Sequence, residues 1–134
     1  MSEAVDIEQD FGCGICWPSS PESAWEAVSQ LSITEFLIDE PHFIVSRRHC
    51  PACQQAFVSV MTETIDWMDG EDPQYRTVMP LLEQEANDLA GTSNDIESKL
   101  RTLAPQRRSL KMDFPKGEPQ KMYWSHGISV GVHD

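Results

Sequence analysis

The chain is short of positive charge and glycine, has no long apolar run, and carries no cysteine outside two matched pairs. Ten Lys and Arg stand against 22 Asp and Glu over 134 residues, a formal charge of -12. A field of that sign repels nucleic-acid phosphates and anionic lipid, so neither is an expected partner. No window approaches the ~18 apolar residues that a membrane-spanning helix needs. The first fifteen residues, MSEAVDIEQDFGCGI, are acidic and lack an apolar stretch, unlike a secretory signal, so the expected location is cytoplasmic. With only 7 glycines there is no glycine-rich phosphate loop, and the motifs G-x-S-x-G and H-E-x-x-H are also missing. The sequence therefore assigns no catalytic residue, and a non-enzymatic role is the expectation.

What is present suffices for one core: 40% of the residues are hydrophobic, and the length suits a single domain over residues 1–134. The charge is unevenly spread. Residues 1–50 carry 9 acids and 2 bases, 51–103 carry 10 and 3, and 104–134 carry 3 and 5. The last block holds Arg107, Arg108, Lys111, Lys116 and Lys121, a basic β-rich flank that can fold back onto the acidic body or face a partner.

Local patterns place the elements. Ser20 followed by Pro21 starts a helix over Pro21 to Leu31, with Ala24, Val28 and Leu31 on one side. Ile33 to Arg48 is β-branched and aromatic around Glu40-Pro41, which predicts two strands and a turn. Ala56 to Trp67 predicts a further strand, and Asp69 to Pro73 a loop. After a strand in YRTVMP, Leu82 to Ala90 reads as a helix stopped by Gly91. Asn94 and Glu97 have capping-box spacing for a second short helix that ends before Pro105. Leu110, Met112 and Phe114 alternate with charges. Met122, Trp124, His126, Ile128, Val130 and Val132 all fall on even numbers, so strands close the chain, with Gly127 able to break the last one.

The specific signal lies in the cysteines. Cys13-Gly-Ile-Cys16 and Cys50-Pro-Ala-Cys53 are C-x2-C pairs separated by 33 residues. Two residues between thiolates let a tight turn aim both sulfurs at one ion, while turn N–H groups donate to sulfur. Two such knuckles complete a tetrahedral zinc site with Cys13, Cys16, Cys50 and Cys53 as ligands. Four cysteine ligands leave no open position, so the Zn2+ is expected to be structural and to staple the N-terminal half.

In the phrase HCPACQQAF the sequence resembles the zinc-ribbon class, where a knuckle with proline inside the pair is followed by a strand. The resemblance covers roughly residues 11–67. It departs where a small residue often follows each pair, since Trp17 and Gln54 stand there. The expected fold is α+β: an antiparallel β-sheet with a zinc-ribbon-like pair of knuckles and two or three short helices. The rival chemistry is redox, because C-x-x-C also serves thioredoxin-like enzymes, whose first cysteine opens a helix. Neither pair here opens one: Cys16 runs into Trp-Pro-Ser-Ser-Pro and Cys53 into a β-branched stretch.

Other constellations are weaker. His49 adjoins Cys50 and is expected at the surface or hydrogen-bonded to the metal ligands, while His126 falls on an apolar strand face and is expected in the core. His42 and His133 complete the histidine set. The acids around Trp67 and Met68 do not match an EF-hand loop, but acids flanking an exposed aromatic suit a basic protein partner. The doublets Arg47-Arg48 and Arg107-Arg108 are the main basic features. Together these features point to a small acidic zinc-binding protein that acts by protein interaction, as an inhibitor or adaptor for a basic partner. The competing function is a thiol redox or metal-responsive switch built on the two C-x-x-C pairs.

Overall fold

The computed structural model describes residues 11–70, 72–91 and 95–131. Six antiparallel strands pair in chain order: β1 Ser32–Glu40, β2 Phe43–His49, β3 Ala56–Glu63, β4 Gln74–Leu81, β5 Arg108–Phe114 and β6 Lys121–His126. Helix α1, Pro21–Val28, precedes the sheet, and α2, Glu83–Ala90, and α3, Ile96–Thr102, fill the connection from β4 to β5. The α+β arrangement expected from the sequence is the one observed.

The period of two sorts every strand residue onto one of two faces. Val45, Val60 and Thr77 stand side by side through the ladder, as do Val58 and Met79. This face packs under Ala86, Leu89, Ile96 and Leu100 of α2 and α3, and we call it the helix-pair face. The alternate row Ser46, Ser59, Val78, Leu110 and Trp124 lies on the opposite face. There Phe57, Val78 and Leu110 pack with Ala24, Val28, Leu31, Cys16 and Cys50, and we call it the knuckle face. Because both faces are covered, β3 is buried without interruption from Phe57 to Thr62.

Helix α1 begins as its sequence demands: Pro21 needs no N–H partner, and the Ser20 hydroxyl accepts from Ser23 N–H at 3.1 Å. It ends at Val28, earlier than the expected Leu31, but Leu31 stays in the same core. In α3 the N-cap is Asp95, with no side-chain capping bond, and Asn94 lies outside the described residues.

Two strand expectations are corrected. The strand expected to reach Trp67 stops at Glu63, because Thr64 N–H turns to the Pro73 carbonyl at 3.3 Å and the chain enters the β3–β4 loop. The closing even-numbered run is not one strand. Gly127 takes φ +69, its N–H donates to the Arg107 carbonyl at 2.8 Å, and β6 ends at His126. The turn carries the chain across, so Ile128 and Val130 pack on the helix-pair face while Trp124 stays on the knuckle face. His126 is exposed at the strand end, not in the core. Val132 and His133 lie outside the described residues.

Candidate metal centre

Each cysteine pair sits in a turn closed by the same type of backbone bond. Trp17 N–H reaches the Cys13 carbonyl at 2.9 Å, and Gln54 N–H reaches the Cys50 carbonyl at 2.8 Å. The second turn joins β2 to β3 and is sealed by Cys50 N–H on the Gln55 carbonyl at 3.0 Å. Gln54, the position where the sequence departs from the small-residue pattern, takes φ +70, a left-handed conformation that glycine adopts without strain.

The turns bring all four sequence-assigned sulfurs together. Cys13 Sγ lies 3.8 Å from Cys16 Sγ and 4.0 Å from Cys50 Sγ, and Cys16 Sγ lies 3.8 Å from Cys53 Sγ. All four fall within 4.8 Å of one another, and all are free thiols. A regular tetrahedron with metal–sulfur bonds of about 2.3 Å has sulfur–sulfur edges of about 3.8 Å. The donor set therefore fits a tetrahedral thiolate-bound ion in both chemistry and spacing. Among the described residues no other group of three or more His, Cys, Asp or Glu side chains converges in this way.

Backbone donors polarise the cluster unevenly. N–H groups of Cys16 and Ile15 donate to Cys13 sulfur and bring its thiol down to about 7. Burial acts the other way on Cys16, pushing its thiol well above the ordinary range. Ala52 N–H approaches Cys50 Sγ at 3.4 Å, and Cys13 N–H approaches Cys16 Sγ at 3.3 Å. Cys16 and Cys50 are buried, Cys13 is half-buried, and Cys53 is exposed at the edge of an open depression of about 650 Å³.

Two residues that the sequence reading missed hold the cluster together. Gly12 takes φ +70, and a Cβ there would stand 2.8 Å from Cys16 Sγ and 3.0 Å from Trp17 Cβ. Gln55 spans three segments: Oε1 accepts from Gly12 N–H at 2.9 Å, and Nε2 donates to the Ala56 and Leu81 carbonyls at 2.9 and 2.7 Å. The glycine before the first pair was a readable signal; Gln55 carried none, because its partners are remote carbonyls.

An aromatic roof completes the site. Trp17 packs on Phe57 with ring centroids 5.4 Å apart and meets Trp124 edge-on at 5.1 Å. Trp124 Nε1 donates to the Ser19 carbonyl at 2.9 Å, and the Arg108 guanidinium lies 4.0 Å from the Trp124 ring centre. Nearby, Arg107 stacks on Phe11 at 4.6 Å and makes a bidentate pair with Glu85 at 2.6 and 3.1 Å.

Among the described residues no histidine joins the cysteine cluster. His49 Nδ1 bonds Thr34 Oγ1 at 2.9 Å, and His42 Nδ1 bonds Glu63 Oε1 at 3.0 Å. In the β3–β4 loop, Asp66 Oδ1 accepts from the N–H groups of Met68 and Asp69 at 3.2 and 3.3 Å, and Asp72 accepts from Asp66 N–H at 2.7 Å. Lys116 of the basic flank clamps Asp66 and Asp69 at 3.1 and 2.7 Å. Beside these bonded aspartates Trp67 and Met68 stand at 84% and 91% exposure. The chain matches no protein-family model, no curated protein and no solved structure.

Proposed function

We propose that the four cysteines hold a structural Zn2+, in a zinc-ribbon-like arrangement, and that the protein acts as an inhibitor or adaptor of a basic protein through the Trp67–Met68 loop. The convergence of four sulfurs at tetrahedral spacing carries the metal half of this reading. With four thiolates bound, no coordination position is open to water or substrate, so the ion's chemistry there is to fix the knuckles. The interaction half rests on the loop. Two large apolar side chains stand in solvent, held by backbone bonds to Asp66 and Asp72 and rimmed by carboxylates. Such a knob suits an apolar pocket with a basic rim.

Elemental measurement of protein purified without added metal should find one zinc per chain, and a strong chelator should lower its melting temperature. Protein that carries no zinc as purified, and whose melting temperature does not rise when zinc is added, contradicts the structural role. For the loop, Trp67→Ala with Met68→Ala should abolish partner binding while leaving zinc content and melting unchanged; binding that survives the double substitution removes the loop from the interface.

The exposure of Cys53 and the lowered thiol of Cys13 favour a second reading, a thiol switch. Thiol titration separates the two. Cysteines that react only after zinc is removed support the structural site, and cysteines that react at once in the zinc-loaded protein support the switch.

A further inference from the structure

The sheet ends in two strands with no outer neighbour among the described residues, β1 at one edge and β6 at the other. Six strands in alternating directions leave β1 and β6 antiparallel to each other. A second copy set beside the first in the same orientation therefore brings its β1 antiparallel to β6, and the ladder continues. The chain after β6 does not close that edge. Past Gly127 it crosses the helix-pair face, where Ser129 Oγ accepts from Lys111 at 2.6 Å and a Cβ on Gly131 would stand 3.0 Å from Thr62 Oγ1.

Register carries one row straight through the sheet: Glu40, Phe43, Thr62, Tyr75, Asp113 and Lys121. Its two ends are an exposed acid on β1 and an exposed base on β6. Neither has an ion-pair partner among the described residues. The next rows also end in matching residues. Ile38 heads the row that finishes at Tyr123, and the half-exposed Phe36 heads the row that finishes at Trp124.

Continued across an edge-to-edge contact, these rows set Lys121 opposite Glu40, Tyr123 opposite Ile38 and Trp124 opposite Phe36 of the next copy. Opposite charges, an aromatic with a β-branched side chain and two aromatics are the cross-strand pairs that stabilise a ladder. Two-fold contacts lack this match. A β1–β1 contact joins strands that carry Glu35, Asp39 and Glu40 and no base, and a β6–β6 contact joins strands that carry Lys121 and no acid.

We propose that a second copy of this chain docks its β1 on β6, edge to edge and head to tail, with Glu40 against Lys121. Bulges between Ile33 and Glu35 and between Phe36 and Ile38 confine regular pairing to the Ile38–Glu40 end, so the contact is short and reversible. A heterologous contact leaves one free edge at each end, and sheet twist winds successive copies into an open helical chain.

Sedimentation of the full-length protein as purified, over a range of protein and salt concentrations, tests this. The mean mass should rise with concentration past that of a dimer and fall as salt screens the charge pair. Glu40→Lys and Lys121→Glu alter exposed side chains; each should keep the melting temperature and weaken association about tenfold by setting like charges opposite. An equimolar mixture of the two variants should associate again, and so should one chain carrying both substitutions. Five outcomes overturn the proposal. They are a monomer mass up to about 1 mM protein, a plateau at the dimer, single variants that associate as tightly as the unaltered chain, a mixture that stays dispersed, or dispersal by Trp67→Ala, which places the contact at the β3–β4 loop.

Discussion

The two faces of the sheet are closed by different chemistry. On the helix-pair face, Leu89, Ile96 and Leu100 cover Val45, Val60 and Met79 with hydrocarbon alone. Helix α1 on the knuckle face has only 8 residues and buries just Ala24 and Val28. The rest of that face is covered by the Cys13–Trp17 turn and the tryptophans, with the Arg76 and Arg108 guanidinium groups against Trp25 and Trp124. On the proposed reading, a metal held by the four converging sulfurs adds a link to this thinner cover. The two faces should therefore respond differently to metal.

Removing the ion should have the largest effect, because structural zinc is worth about 10 kcal/mol or more in small metal-folded domains. Chelation should expose Trp17 and Trp124, read as a red shift in tryptophan emission, and lower the melting temperature. Gly12→Ala should come next. The new Cβ meets Cys16 Sγ at 2.8 Å in a left-handed backbone position, so zinc per chain, measured by elemental analysis, should drop well below one.

Leu100→Ala makes the opposite test. It empties a fully buried position on the helix-pair face, and denaturant unfolding should show a loss of about 2–5 kcal/mol with zinc content unchanged. Zinc lost together with that stability would mean the faces are not separable.

Acid should act on the knuckle face through the thiols. Metal uptake requires all four to release protons, and burial raises the Cys16 thiol while the Cys13 thiol sits at about 7. Affinity should thus fall as pH falls, more steeply below about 7, where Cys13 also holds its proton in the metal-free state. Competition with a chromophoric chelator across this range checks the slope. The smallest expected effect is a gain: Gln54→Gly relieves a left-handed non-glycine residue and should stabilise the zinc form by about 1 kcal/mol in denaturant unfolding, less the loss of the Gln54 side-chain bond to the Pro51 carbonyl.

How much of this was legible depended on how local each signal is. The cysteine set could be read because two-residue spacing is a geometric requirement within one turn. The strands β2 and β3 could be read from their β-branched and aromatic composition, and β5 from the alternation of Leu110, Met112 and Phe114 with charged residues. The closing strand was over-read: Ile128 and Val130 keep the even numbering of Trp124 yet lie across the sheet, since parity has no meaning past the left-handed Gly127. Trp67 was assigned to a strand because composition alone does not reveal that Asp66 will cap a turn. The arginine doublets looked like basic patches in one dimension, but pairing across the sheet sends Arg47 to Glu35 and leaves Arg48 without an acid among the described residues. Gln55 could not have been found, because its role is a distance between chain segments.

Amide hydrogen exchange on the zinc-loaded protein, compared with and without a strong chelator, tests the central claim most directly. Chelation should speed exchange by orders of magnitude at Trp17, Ala24 and Gln54, whose N–H groups bond within the two cysteine turns and α1, while Leu89 of α2 and Leu100 of α3 keep most of their protection. Equal acceleration in both sets, or none in either, would contradict a metal that holds one face of the sheet.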